Sequence, residues 1–84
     1  MTRILIVDDE AGMREFLSIF LEREGFQVES AQDGQEALEA AEKAPFDLII
    51  SDLRMPTMDG VRLLEGLREF QPEVPVILMT AYAS

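Results

Sequence analysis

Apolar side chains follow one another without a break in three short segments, a pattern that is typical of strands buried on both faces. The pattern predicts a first strand from Arg3 to Val7, a third from Asp47 to Asp52 and a fourth from Pro75 to Thr80. Between the first two of these, Gln27 to Ala31 alternates polar and apolar residues, which predicts a half-exposed second strand at a sheet edge.

Three segments between the strands have helical periodicity. The first runs from about Ala11 to Glu24, and Gly25 ends it as a helix-terminating glycine would. Its apolar positions are spaced as one stripe and comprise Met13, Phe16, Leu17, Phe20 and Leu21.

The second and third helices carry start and stop signals. Asp33 is a candidate N-cap whose capping box Glu36 would complete, and Pro45 ends the helix that follows. Asp59 can cap the third helix, which ends before Pro72. That helix is amphipathic through Val61, Leu64, Leu67 and Phe70.

The resulting order is βαβαβαβ, which predicts right-handed crossovers and an α/β fold with helices on both faces of a parallel sheet. If strand two lies on one side of strand one and strand three on the other, the strand order is 2-1-3-4. The 84 residues suffice for one small domain, which we expect to span residues 1–84.

Composition excludes several classes of function. The chain has no cysteine and no histidine, which removes disulfides, thiolate catalysis, Ser-His-Asp chemistry and ordinary zinc sites. Seventeen acids against seven bases give a net charge of −10, so we expect no direct binding of nucleic acid. No apolar run is long enough for a membrane span and no leader opens the chain, so we expect a cytoplasmic protein.

The remaining acids of interest stand where strands end. Asp8 and Asp9 leave strand one, Asp52 leaves strand three, and Thr80 leaves strand four. Taken singly, each is typical of a turn or a helix cap. Because the carboxyl ends of parallel strands share one edge, we expect the four to converge at the point where the strand order reverses. Carboxylates without histidine or thiol form an oxygen-ligand site, which suits Mg²⁺ (or Mn²⁺) together with a phosphoryl group.

Three segments, ILIVDDE, FDLIISDLRMPTMDG and VPVILMTAYAS, resemble the receiver domain of bacterial two-component response regulators. The resemblance runs from Arg3 to Ser84 and implies a flavodoxin-like, doubly wound sheet. RMPTMDG together with ILMTAYAS is similar to receivers of the nitrogen-regulator type, which precede ATPase modules that activate transcription. The resemblance therefore implies an output domain in a longer protein.

The resemblance also implies residue roles. Asp52 matches the aspartate that takes a phosphoryl group from a phosphohistidine on a sensor histidine kinase, and Thr80 matches the switch hydroxyl. Asp9 matches the direct Mg²⁺ ligand and Asp8 the acid that holds the metal through water. Asp52 itself and the backbone carbonyl of Arg54 complete the implied metal ligands. The backbone N–H groups of Leu53 and Ala81 match those that bind the phosphoryl oxygens.

The chain departs from the family after its fourth strand. The family has five strands in the order 2-1-3-4-5, and its fifth strand carries a lysine that contacts the phosphoryl group. The only lysine here is Lys43, on the predicted second helix, so we expect weak phosphorylation. An unpaired apolar fourth strand tends to recruit another chain, which predicts a homodimer or a swapped assembly.

Two other functions stay open from the sequence. The first is an assembly module without phosphotransfer, which the absence of the lysine favours. The second is a Mg²⁺-dependent phosphatase with an aspartyl nucleophile. Such phosphatases usually have two acids two residues apart after strand one and then Asp-Gly-Thr, which Asp8-Asp9-Glu10-Ala11 does not match.

Overall fold

The computed structural model describes residues 1–52 and 60–79, which form a parallel four-stranded sheet with three helices. The elements are β1 (Arg3–Val7), α1 (Ala11–Arg23), β2 (Gln27–Ala31), α2 (Gly34–Lys43), β3 (Leu48–Asp52), α3 (Gly60–Phe70) and β4 (Val76–Met79). The strand order β2-β1-β3-β4 confirms the predicted arrangement. None of the helices described is long and apolar enough to cross a membrane.

The two faces of the sheet are covered unequally. Successive side chains of a strand point to opposite faces, so Leu5 and Val7 lie on one face and Ile4 and Ile6 on the other. The first face packs against α2 and α3 and contains the main core. Its buried members are Leu5, Val7, Ala31, Ala37, Ala41, Phe46, Ile49, Leu63, Leu67 and Val74.

Element boundaries differ from the sequence prediction by one residue at three places. Helix α1 ends at Arg23, and β4 begins at Val76. Strand β3 begins at Leu48 rather than at Asp47, which instead hydrogen-bonds to the main chain of Arg3. The Asp47 N–H donates to the carbonyl of Arg3, and its carboxylate accepts the N–H of Arg3. The predicted cap Asp59 and the strand end Thr80 lie outside the described residues.

Helix α1 ends in a Schellman motif around Gly25. The Gly25 N–H donates to the carbonyl of Glu22 and the Phe26 N–H to the carbonyl of Leu21, at 3.0 and 3.2 Å. Gly25 has a φ of 96°, a conformation that glycine adopts without steric cost. The predicted role of this glycine is thus confirmed.

The start of α2 follows the predicted cap with one change. The Asp33 side chain accepts the N–H of Glu36 at 2.9 Å, as expected for an N-cap. The Glu36 carboxylate, however, accepts the N–H of Gln32 rather than that of Asp33, at 3.2 Å. The second hydrogen bond of the capping box is therefore shifted by one residue toward β2.

A glutamine from beyond α3 closes the end of α2. Pro45 has no N–H to donate to the carbonyl of Ala41, four residues earlier. The Gln71 side-chain amide donates to that carbonyl at 2.8 Å and to the carbonyl of Ala44 at 2.9 Å. Its own oxygen accepts the N–H of Phe46 at 2.9 Å, so one side chain fixes α2 against the segment after α3.

The second face of the sheet is covered only in part. Parallel partners point to the same face, so Ile6, Ile50 and Ile77 form one row across three strands. Ile6 is completely buried, Ile50 is half-buried and Ile77 is 50% exposed. The cover over this face thus declines from β1 to β4.

Helix α1 exposes much of its apolar stripe beside that row. It contacts β1 and β2 through a side on which Leu17 and Leu21 are half-buried. Phe16 and Phe20 are 64% and 53% exposed and lie roughly 100° around the helix from the contact side. A right-handed β1–α1–β2 crossover turns them toward β3 and β4. We call this surface the apolar trough; its residues are Met13, Phe16, Phe20, Ile50 and Ile77.

Candidate functional site

Three aspartates meet at the carboxyl edge of β1 and β3. Val7 pairs with Ser51 as the last partners of these strands, so the next residues, Asp8 and Asp52, leave the sheet side by side. Carboxylate oxygens of Asp8, Asp9 and Asp52 all lie within 4.8 Å of one another. Parallel pairing therefore gathers acids that are more than 40 residues apart in the chain.

Hydrogen bonds hold Asp8 at every polar group. Its N–H donates to the carbonyl of Ala31 at 3.1 Å, which ties it to the end of β2. Its carboxylate accepts the N–H of Glu10 at 2.9 Å, a turn that leads into α1. Its carbonyl accepts a bond from the Arg14 guanidinium at 2.7 Å. The position of Asp8 is thus fixed from both neighbouring elements.

Burial falls off from one aspartate to the next. Asp8 is buried, Asp52 is half-buried and Asp9 is exposed. The Ser51 hydroxyl donates to the carbonyl of Asp52 at 2.9 Å, which orients the main chain at the end of β3. The cluster therefore has a rigid inner side and an outer side that a ligand can reach from solvent.

The electrostatics of the cluster disfavour three negative charges. Burial raises the pKa of Asp8 above its ordinary value of 3.8, and the charges of Asp52 and Asp9 raise it further. The hydrogen bond from the Glu10 N–H lowers the pKa but does not offset the other effects. A cation at this point would remove the repulsion.

The donor set fits a hard divalent cation. All three side chains offer carboxylate oxygens, and Mg²⁺ prefers such ligands together with water molecules. Burial and the neighbouring carboxylates of Asp52 and Asp9 raise the pKa of Asp8, and a bound cation would offset both effects. These residues could therefore hold Mg²⁺.

Of the site residues predicted from sequence, the structure brings together Asp8, Asp9 and Asp52. The others, Leu53, Arg54, Thr80 and Ala81, lie outside the described residues. Lys43 is the last residue of α2.

Sequence reasoning missed Arg14, which contacts the main chain of the site. The available signal was a lone cation in the first turn of the helix that follows the acid pair. Such a residue is common on helices, so its spacing alone did not indicate the contact.

An open cavity of about 690 Å³ lies elsewhere, at the amino-terminal edge of the sheet. Arg3 and Phe46 line it. The Arg3 guanidinium already binds the carboxylate of Glu29 and the carbonyl of Pro45 and lies over the Phe46 ring. Its charge is therefore used within the fold, and the acid cluster remains the better candidate site.

Comparison with known proteins identifies one family. A family model described as response regulator receiver domain matches residues 4–84. The transcriptional regulatory protein GlrR of Escherichia coli (strain K12) is 42% identical over 81 residues, which are 96% of this chain and 18% of that protein. ResD of Bacillus subtilis (strain 168), another transcriptional regulatory protein, is 42% identical over 80 residues, 95% of this chain and 33% of that protein. The chain thus spans a third or less of the length of these relatives.

Solved structures agree in fold. The chemotaxis protein CheY4 of Vibrio cholerae superposes with a TM-score of 0.94 at 40% identity, covering 100% of this chain and 72% of that one. The response regulator TrrA of Thermotoga maritima, in complex with Mg²⁺-BeF, superposes with a TM-score of 0.91 at 38% identity. That match covers 99% of this chain and 72% of TrrA.

Proposed function

Because the chain belongs to the response regulator receiver domain family, we propose that it is a phosphoacceptor domain of a two-component system. It takes a phosphoryl group from a sensor histidine kinase onto Asp52, with Mg²⁺ as cofactor. The observation that carries the proposal is the convergence of three carboxylates at the edge where β1 and β3 end. The Mg²⁺-BeF complex of TrrA, a relative of the same fold, supports it.

The proposed transfer is a displacement at phosphorus. A carboxylate oxygen of Asp52 forms the new P–O bond as the P–N bond of the kinase phosphohistidine breaks, and the imidazole keeps the electron pair and takes up a proton. Bound Mg²⁺ would supply charge neutralisation for the phosphoryl oxygens. Asp8, which is buried, and Asp9, which is exposed, would hold the cation. The half-buried carboxylate of Asp52 stays accessible to the incoming group.

Residues outside the described part complete the proposal as the family resemblance implies. The carbonyl of Arg54 is a further metal ligand, and the Thr80 hydroxyl moves toward the phosphoryl group. The N–H groups of Leu53 and Ala81 bind the other phosphoryl oxygens. One receiver domain then spans residues 1–84.

The proposed output is control of transcription. GlrR and ResD, both related to this chain, are transcriptional regulatory proteins, and the motifs RMPTMDG and ILMTAYAS imply an output of the nitrogen-regulator kind. We infer that the domain works in the cytoplasm as a switch that assists its own phosphorylation, rather than as an enzyme with turnover. An output domain, not this acidic surface, would contact DNA.

The test of the proposal is labelling by a small phosphodonor. Incubation with acetyl phosphate and Mg²⁺ should add one phosphoryl group per chain, measured by intact mass, and chelation of Mg²⁺ should prevent it. We expect slow labelling, because the only lysine is Lys43 at the end of α2. If beryllofluoride with Mg²⁺ left the melting temperature unchanged and no label appeared, the proposal would fail. An assembly module would then be the better interpretation.

We also propose that a second copy of this chain covers the apolar trough and the β4 edge. The exposed parts of Met13, Phe16, Phe20 and Ile77 amount to roughly 400 Å², taking about 200 Å² for a large side chain. One side of a standard interface contains about 450 Å² of apolar surface. The trough is therefore large enough for the apolar centre of a dimer.

The charge of α1 is also compatible with a second copy of this chain over the apolar trough. The chain carries −10 overall, so most of its surface repels a copy of itself. Helix α1 carries no net charge, because Arg14 and Arg23 balance Glu15 and Glu22, and α3 is neutral in the same way. An antiparallel pair of α1 helices would bring the arginine near the end of one to the glutamate near the start of the other.

Association should be visible at micromolar concentration. We expect sedimentation equilibrium to show a dimer, and Phe20→Ser to weaken it about tenfold, because an aromatic side chain at an interface centre contributes more than 1 kcal/mol. Val61→Ser is the control, since Val61 is also exposed but lies on α3. A compact monomer, or equal effects of both variants, would contradict the proposed interface.

A further inference from the structure

Arg14 joins the first turn of α1 to the acid cluster. Its guanidinium Nη1 donates to the carbonyl of Asp8 at 2.7 Å, and its side chain is half-buried. Its N–H donates to the carbonyl of Glu10 and starts the helix. We propose that Arg14 is a positioning residue for the cation site, which acts by holding the Asp8 main chain. This inference rests on the proposed function.

The hydrogen bond from Arg14 matters because the Asp8 carbonyl is part of the peptide unit that leads to Asp9. The Asp8 N–H and carboxylate are held by the neighbouring groups of Ala31 and Glu10, and the carbonyl is held by Arg14. That carbonyl belongs to the peptide unit that carries Asp9, whose side chain is exposed. Without the guanidinium, rotation of this peptide unit moves the Asp9 carboxylate relative to Asp52. The arginine thus fixes the exposed ligand through the main chain.

The charge of Arg14 acts in the opposite direction to its hydrogen bond. A positive charge near three carboxylates repels a divalent cation, so removing it should tighten metal binding. Removing the hydrogen bond should loosen the ligand geometry and weaken binding. A substitution of Arg14 therefore distinguishes the two roles. Tighter metal binding would show that the charge dominates, and weaker metal binding would show that the hydrogen bond dominates.

Arg23 provides a matched control. It lies in the last turn of the same helix, at the end remote from Asp8, and carries the same charge. We expect Arg14→Met to weaken Mg²⁺ binding roughly tenfold in calorimetric titration, as loss of a supporting contact does at other metal sites. Arg23→Met should leave Mg²⁺ affinity unchanged or slightly tighter, since the positive charge that it removes lies remote from Asp8.

The ratio of Mg²⁺ to Ca²⁺ affinity gives a readout that a general loss of structure would not change. Mg²⁺ demands near-ideal octahedral geometry, whereas Ca²⁺ accepts irregular ligands. The ratio of Mg²⁺ to Ca²⁺ affinity should therefore fall in Arg14→Met and stay constant in Arg23→Met. The melting temperatures of both variants without metal show whether each is folded.

Arg14→Lys tests the inference independently of the larger substitution. Lysine keeps the charge but lacks the planar fork, so we expect an intermediate Mg²⁺ affinity and an intermediate selectivity ratio. Equal affinities and ratios in wild type, Arg14→Met and Arg14→Lys would overturn the positioning role while leaving the proposed function standing. A wild-type chain that binds no Mg²⁺ would overturn both.

Discussion

Asp52→Asn should abolish phosphoryl labelling by acetyl phosphate. The amide has the shape of the carboxylate but no anionic oxygen, so it cannot displace the acetate group from phosphorus. It also removes one of the three charges that attract Mg²⁺. We expect no added phosphoryl mass under conditions in which the wild-type chain is labelled.

Asp47→Asn controls for the change in charge. Asp47 precedes the same strand, β3, at the opposite edge of the sheet, where it bonds to the main chain of Arg3. Its amide can still accept the N–H of Arg3, so labelling should be unchanged. Hydroxylamine should release the label, as expected for an acyl phosphate. Label that persists in Asp52→Asn would place the acceptor elsewhere.

Asp8→Asn should have two effects of opposite sign. The substituted amide is isosteric with the carboxylate and can still accept the N–H of Glu10, so the turn into α1 is kept. Without metal, we expect the variant to be about 1 kcal/mol more stable at neutral pH, because it removes a buried charge and its repulsion by Asp52 and Asp9. Its Mg²⁺ affinity should fall roughly 100-fold, because the site loses a charged group.

The gain in stability should depend on pH in a defined direction. The pKa of Asp8 is raised in the folded protein, so on raising the pH the unfolded chain releases this proton first. Wild-type stability therefore falls, relative to the variant, from about the ordinary value of 3.8 until the pH exceeds the folded pKa. Above that window the difference is constant, and below it the difference disappears.

Urea unfolding of both proteins without metal, at about pH 3 and about pH 7, measures this difference below and above the window. Asp33→Asn serves as a comparison, since it removes an acid but keeps an N-cap acceptor for Glu36. An Asp8→Asn variant that is less stable at neutral pH would show that the carboxylates do not repel one another in the folded chain. A variant with unchanged Mg²⁺ affinity would show that Asp8 takes no part in binding.

The sheet and the acid cluster were predictable because both follow from strong local patterns. Runs such as Ile4 to Val7 indicate buried strands, and parallel pairing then determines that Asp8 and Asp52 lie side by side. Sequence does not decide which part of an amphipathic helix its neighbours cover. Phe16 belongs to a predicted apolar stripe, yet it is exposed because α1 lies over β1 and β2 only in part.

Contacts of long polar side chains were the least predictable features. Arg14 reaches the carbonyl of Asp8, and Glu36 bonds to Gln32 rather than to the cap residue. Several rotamers of such a side chain reach different main-chain groups, and the choice depends on tertiary packing. Local spacing does not contain that information.

The bonds of Gln71 restrict what can stand at its position. The site needs two donors for the carbonyls of Ala41 and Ala44 and one acceptor for the N–H of Phe46. Glutamate would offer only acceptors, lysine only donors, and asparagine is one methylene shorter. Glutamine is thus the one standard side chain with the required groups at that length, so the junction between the end of α2 and the segment after α3 depends on it.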